Sequence, residues 1–550
     1  MTTTTSRRWL PDLALQEVRR HRGAILAWIL AGGGIMWVFG AAYQVQLSTF
    51  PGGAKEFGAS VAAAADAMRA LVGPADSLDT YGGYVTFHNL GYAAIMLGFW
   101  ALFMGSRAVR GAEERGEVTG WLATGRRRAL LVLDEALGYL ASMTIVVAAV
   151  GLMTWLGTLA AGQPQLLRSF GAIAMVALAA SVFFALALLL SQLVGSSRTS
   201  SGIAGALMLA TFLVANLNQN MGWWGWLRFI SPFWYAQQSR LLIPGHNLDA
   251  GATIVLVAAC VALTGAAALA FEARDVGAPL WSLRRRAPTA RPFRMRRPWL
   301  STTAGAALAA RRNGLLLWFA GAAAWFALYI AMTPTILQYW SSSDLIRRML
   351  GAMPATSLTD QYISYVVNLT APLVTAFALL QAAAWVRDSD EKRTDMEMAS
   401  PVSRRRLWLE RIAALTGGAT VLVAGCVAGM GLGAWAGGIA LTGDGVLRAA
   451  GDLLLLAMAT GAVGGLIVAT LRSGVAIGVL GAFLGVSFFV TVFGPLFNWP
   501  AWVLRLSFFQ AFGTPYTSAV ELRDALFMAG VAVIGTAVTI VIAERRSTAP

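Results

Sequence analysis

Lysine is nearly missing from this sequence. Lys55 and Lys392 are the only two, neither follows a glycine, and no G-x-x-x-x-G-K-[ST] run occurs. Without that loop the chain has no backbone cradle of that kind for nucleotide phosphates, which excludes a nucleotide hydrolase built on it. Cysteine is equally scarce. Cys260 and Cys426 each stand inside an apolar run, which excludes a disulfide framework or a metal set built on them and suits small buried side chains. Charge as a class is thin: 13% of the residues are charged, against about 25% in soluble domains. That fraction is too small to coat a soluble body of 550 residues, so lipid must cover much of the surface. No paired carboxylates, Ser–His set or metal cluster points to an enzyme.

What is present is apolar sequence in long runs. Twelve are read as membrane spans: roughly 24–43, 87–106, 132–160, 169–194, 202–221 and 251–272 in the first half, and 314–333, 366–386, 411–440, 452–471, 474–497 and 525–543 in the second. The first is long enough to cross an apolar core of about 30 Å and longer than the ~7–15 residues of a cleaved signal. It is therefore read as a span. Acidic residues are absent from the span interiors; Asp134, Glu135, Glu410, Asp452 and Asp524 fall at the ends. A proton-driven antiporter needs a titratable group deep in the membrane. A proton-driven secondary drug transporter with parallel repeats is therefore the alternative rather than the leading reading. His88, at the edge of span 2, reads as a satisfied interfacial residue.

The net charge of +15 is almost all arginine, placed between the runs. Arg7, Arg8, Arg19, Arg20 and Arg22 precede span 1. Arg107, Arg110, Arg115 and Arg126–Arg128 separate spans 2 and 3, and Arg545 and Arg546 end the chain. Alternating spans put these basic stretches on one side, which the positive-inside rule makes cytoplasmic, both termini included. Nucleic-acid binding would instead need a basic stripe on a folded soluble domain; no such partner is expected. Residues 273–300 hold Arg284–Arg286, Arg291, Arg294, Arg296 and Arg297 among prolines. They read as a cytoplasmic linker too polar to pack a core. The predicted organisation is a first half over 1–272, the linker, and a second half over 301–550.

The halves repeat each other. Arg22-Gly23 leads an apolar run to Trp28, and Asn313-Gly314 leads one to Trp318. Glu113-Glu114-Arg115-Gly116 is followed by Trp121-Leu122 and Arg126–Arg128. Asp390-Glu391-Lys392-Arg393 is followed by Met398-Ala399-Ser400-Pro401 and Arg404–Arg406; the arginine triplets stand 278 residues apart. Phe229-Ile230-Ser231-Pro232-Phe233-Trp234-Tyr235 follows span 5, and Phe508–Tyr516 follows span 11. With an even number of spans in each, the halves share one orientation. The predicted fold is an all-α polytopic membrane protein with twelve transmembrane helices as two parallel six-helix repeats. Gly425, Gly429, Gly433 and Gly437 strip one face of span 9 and predict close helix packing.

The segments after spans 2 and 8 resemble the coupling helices of ABC-2 type exporter permeases. The resemblance implies ATPase contacts at about 113–125 (Glu113, Glu114, Val118, Trp121, Leu122) and about 390–403 (Glu391, Met396, Met398, Val402). The amphipathic stretch over about 10–22 (Leu13, Leu15, Val18 with Arg19, Arg20 and Arg22) resembles the family's elbow helix. The aromatic–proline segments resemble its re-entrant helices. The fused, arginine-rich, two-half form is similar to actinobacterial permeases for polyketide (tetronasin-like) antibiotics or mixed drugs. It implies a multi-pass permease of the bacterial inner membrane, paired with two copies of a cytoplasmic ATPase that binds ATP and Mg. No cofactor is expected in this chain itself. In such permeases the substrate path is lined by the first, second and fifth spans of each half. The corresponding residues are Trp37, Phe39, Tyr43, Phe99, Trp100, Phe103, Phe212, Asn216 and Asn218, then Phe326, Tyr329, Asn368, Phe377, Phe488, Phe489 and Phe493. Aromatics with sparse amides suit a lipophilic or amphipathic small molecule.

Overall fold

The computed structural model describes residues 10–48, 52–59, 62, 76–123, 125, 127–217, 222–281, 302–342, 357–390, 394, 403–494 and 499–545. Every regular element among them is helical. The protein is an all-α polytopic membrane protein. Among the described residues eleven helices are long and apolar enough to cross a bilayer. Spans 1 to 6 are Leu15–Val45, Tyr81–Ala108, Arg128–Ala160, Leu166–Leu193, Ser197–Asn216 and Ala250–Ala273. Spans 7 to 10 are Arg312–Gln338, Leu358–Val386, Arg404–Gly437 and Gly443–Thr470, and span 12 is Leu522–Arg545. The predicted span 11 is the helix Ser473–Phe493, whose described apolar stretch, Val475–Thr491, is shorter.

Two boundaries differ from the sequence reading in an instructive way. Asp452 was expected at a span end, yet span 10 begins at Gly443. The stretch from Gly443 is too polar to read as a span. It is helical because tertiary bonds hold it: Arg448 donates to the Pro515 and Tyr516 carbonyls at 3.3 and 3.2 Å, and the Tyr516 hydroxyl accepts from the Thr442 amide at 3.1 Å. The amphipathic stretch before span 1 runs on without a break from Leu10–Ala27, through a π-helical turn at Trp28–Gly33, into Gly34–Leu47.

Chain contacts divide the protein into two compact units, Met1–Ala290 and Arg291–Pro550. Each unit pairs its spans alike. Span 1 packs on 3, 2 on 4 and 4 on 6 in the first; 7 packs on 9, 8 on 10 and 10 on 12 in the second. In the second unit the predicted glycine face makes the closest of these pairings. A Cβ added at Gly425 would lie 2.6 Å from the Phe319 carbonyl oxygen, and one at Gly433 would lie 2.8 Å from that of Ala327; Gly429 meets the Ala323 carbonyl between them. Both helices step by four residues, so small residues let two backbones meet along a whole face. In the first unit Gly40 meets the Gly157 backbone at the equivalent crossing of spans 1 and 3.

The segments after spans 5 and 11 also repeat at the level of single atoms. Ser231 caps the helix Pro232–Gln238 and donates its hydroxyl to the Thr211 carbonyl at 2.7 Å. Ser507 caps Phe508–Phe512 and donates to the Ser487 carbonyl at 2.8 Å. In each case the acceptor lies 20 residues earlier, in the preceding span. One serine thus satisfies an orphan amide of a short helix and ties that helix back to its span.

Candidate coupling segment

The connection between spans 2 and 3 is two short helices, Arg110–Glu114 and Glu117–Leu122, joined through Gly116. Gly116 has φ +77°, a left-handed conformation that a side chain would strain, so the sequence can fold back here within two residues. Of the two preceding glutamates, Glu113 is packed into the protein and Glu114 is exposed. Glu113 accepts two bonds from Arg274, at 2.8 and 2.6 Å, one from Arg110 at 2.9 Å and one from the Gly277 amide at 3.0 Å. Arg274 also bonds Gln192 of span 4 at 2.9 and 3.1 Å, and its guanidinium lies 4.9 Å from the Phe271 ring centre. Glu114 accepts from both the amide and the hydroxyl of Ser197, at 2.8 Å each. One carboxylate therefore holds the end of span 6 and the next holds the start of span 5.

Burial pushes the Glu113 carboxyl up, but hydrogen bonds from Arg274, the Gly277 amide and Arg110 outweigh it and hold it below its ordinary value. At neutral pH it is a carboxylate facing two guanidinium groups, and bidentate pairing makes that arrangement geometrically specific. Glu117 is held down chiefly by its exposed bond to Arg115 at 2.7 Å.

The apolar side expected at Val118, Trp121 and Leu122 faces the protein. Val118 is buried, and the other two are half-buried against the core of the first unit. The exposed face is formed by Glu114, Arg115, Gly116, Glu117, Thr119 and Gly120. Glu391, Met396, Met398 and Val402 of the second such segment lie outside the described residues.

The family model for ABC-2 family transporter proteins matches residues 15–276, and that for the C-terminal domain of the multidrug efflux system permease Rv1217c matches residues 300–542. The chain belongs to the ABC-2 type multidrug efflux permeases. No curated protein matches it.

The expected path residues of this permease fall into three environments. Trp37, Phe103 and Phe488 are exposed. Phe99, Trp100, Phe489 and Phe39 are half-buried. Tyr43, Phe212, Phe326, Tyr329 and Phe377 are buried. Tyr43 is a core residue: its hydroxyl donates to the Asp79 carbonyl at 3.0 Å and its ring packs 5.5 Å from those of Tyr81 and Tyr84. Phe377 likewise packs on Trp318 at 5.4 Å. Asn216 is buried and accepts from Gln237 at 2.9 Å. Asn368 is half-buried, with a side-chain oxygen that has no hydrogen-bond partner. Asn218 lies outside the described residues, as does the side chain of Phe493.

Two contributors escaped the sequence reading. Residues from 273 onward read as linker, which hid Arg274, and Gln192 is a single amide inside an apolar run. In the structure Arg274 is buried, and the chain bonds the end of span 4 as far as Trp281. The available signal was the lone Arg274 directly after an apolar span, opposite the glutamate pair after span 2.

Proposed function

We propose that this permease is driven by separate ATPase subunits, one at each of its two repeated segments, and exports lipophilic or amphipathic compounds by alternating access. The ATPase binds ATP and Mg; this chain supplies the spans and the segments that receive the stroke. On this reading the spans cross the inner membrane of a bacterial cell with both termini in the cytoplasm, an orientation the arginine distribution supports. The bracing of Glu113 and Glu114 carries this reading. A push on the exposed turn at Gly116 is delivered through two carboxylates to the ends of spans 4, 5 and 6.

The contact face follows from exposure. Arg115, Glu117, Thr119 and Gly120 face outward, and nothing lies near Gly120 to obstruct an added side chain. The pair Glu117→Arg with Gly120→Trp should fold normally, lose co-purification with the partner ATPase, and lose drug-stimulated ATP turnover. Association and turnover at wild-type levels would remove the coupling assignment.

A further inference from the structure

We propose that the second unit holds a site for a membrane lipid with a phosphoethanolamine headgroup, formed where the segment after span 11 meets the start of span 12. The lipid is a resident of the protein and not its cargo, so the proposal goes beyond the export reading.

The site is a cleft of about 380 Å³, within the ~300–1,000 Å³ range of ligand pockets. Leu504 and Arg505 line it from the segment after span 11; Glu521, Arg523, Asp524 and Phe527 line it from the start of span 12. The Glu521 carbonyl accepts from the Asp524 and Ala525 amides at 2.9 and 3.0 Å, which winds the first turn of the span. Glu521 and Asp524 then stand at i, i+3 and Arg523 and Phe527 at i, i+4, on one side of the helix.

Two guanidinium and two carboxylate groups thus border one cleft. Arg505, Glu521 and Arg523 are exposed and Asp524 is half-buried, so a ligand can reach them. Among the described residues no ion pair or side-chain hydrogen bond joins any two of the four. In the first unit, by contrast, Arg240 pairs with Asp76. The surroundings are apolar: Trp502, Leu506, Leu522 and Leu526 are all exposed. Charge bordered by exposed tryptophan and leucine is the environment of the headgroup level of a bilayer.

Comparison of the repeats shows why this arginine is available. Leu227-Arg228 precedes the capping Ser231 as Leu504-Arg505 precedes the capping Ser507. Arg228 lies 4.9 and 5.4 Å from the ring centres of Phe229 and Trp234. In the second unit Leu506 and Gln510 stand at those places, so Arg505 has neither ring to stack on, and Gln510 lines the cleft instead.

The mixed charge selects the ligand. Guanidinium groups take a phosphate through paired hydrogen bonds. The carboxylates accept from a primary ammonium, which has three N–H donors. A choline headgroup has no N–H to give, and an anionic headgroup meets two carboxylates. Acyl chains can follow Phe527 and the exposed leucines. On the topology proposed above this end of span 12 meets the outer leaflet; the binding chemistry is the same in either leaflet.

The test titrates the full chain, purified in detergent, with dioleoyl phosphatidylethanolamine, phosphatidylcholine or phosphatidylglycerol, and counts bound lipid by native mass spectrometry. One phosphatidylethanolamine should bind at a concentration about tenfold below that needed for the other two. Arg505→Gln with Arg523→Gln should weaken it about ten- to hundredfold, the weight of hydrogen bonds to a charged group, whereas the corresponding Lys pair should keep part of the affinity. Glu521→Gln with Asp524→Asn should reverse the preference toward phosphatidylglycerol. All four side chains lie at the surface, and unchanged melting without added lipid checks that each variant folds. Glycerophosphoethanolamine, the headgroup without chains, should fail to displace the lipid at hundredfold excess. Equal binding of the three lipids would identify an adventitious annular lipid only and overturn the proposal. Undiminished binding to the Arg→Gln pair, or unchanged selectivity in the carboxylate variant, would overturn it as well. Displacement by the free headgroup would overturn the lipid as the ligand and assign the cleft to a soluble phosphate ester.

Discussion

Arg274 clasps Glu113 with both terminal nitrogens, at 2.8 and 2.6 Å, although 161 residues separate them in the chain. Their side chains are 1% and 3% exposed. The pair closes the first unit by fastening the end of its last span to the connection that follows its second.

Removing one partner should be far worse than removing both. Glu113→Ala leaves a buried guanidinium uncompensated, which costs about 3–5 kcal/mol. Glu113→Leu with Arg274→Met restores apolar packing and should recover most of that loss. Thermal unfolding of the three proteins in one detergent measures the difference. A single variant as stable as wild type would show that the pair does not hold the unit together.

Acid should weaken the same contact. Folding lowers the Glu113 pKa from its ordinary 4.5, so folding favours the charged form. The stabilisation is full at neutral pH and drains away as pH falls below about 4.5. Melting temperature followed from about pH 7 to 3.5 should drop less steeply for Glu113→Gln than for wild type, from a lower starting value. Parallel curves would assign the acid sensitivity to other groups.

The glycine face of span 9 allows a position-specific test. Gly429→Leu forces the helix off the Ala323 carbonyl and should destabilise by at least the ~1–3 kcal/mol typical of overpacking. Gly431→Leu, two residues on and facing open space, should be close to neutral. Equal effects would mean that helix propensity, not the crossing with span 7, decides.

Ser231→Ala and Ser507→Ala each delete a cap and a tie to a span. A loss of about 1–2 kcal/mol is expected at each site, local rather than global. Hydrogen exchange should speed up at the Trp234 amide in the first variant and at Phe509 in the second, the groups those hydroxyls satisfy. Unchanged exchange would dismiss the caps as incidental.

Much of the site was readable before any coordinates, because its signals are local. Glu113 and Glu114 stood out as an acidic pair ahead of a glycine and an arginine triplet, and Gly425 to Gly437 as a stripped helical face. The inward direction of Glu113 was not readable, since nothing near it in sequence names Arg274 as its partner. The aromatics were legible as bulky apolar groups but not as lining or core. Tyr43 and Trp37 sit six residues apart in one span, yet one is fully buried and the other 47% exposed.

By itself the sequence located the eleven apolar helices long enough to cross a membrane, though it counted a twelfth, and it showed the repeated landmarks and the absence of a nucleotide-hydrolysing loop. Hydrophobic length, arginine placement and motif chemistry are properties of short stretches and survive without a fold. Tertiary structure decided which side of each helix is inside, where span 10 begins, and which distant groups pair. Those outcomes depend on contacts between residues far apart in the chain, and a buried charge or amide acquires its partner only when the spans have packed.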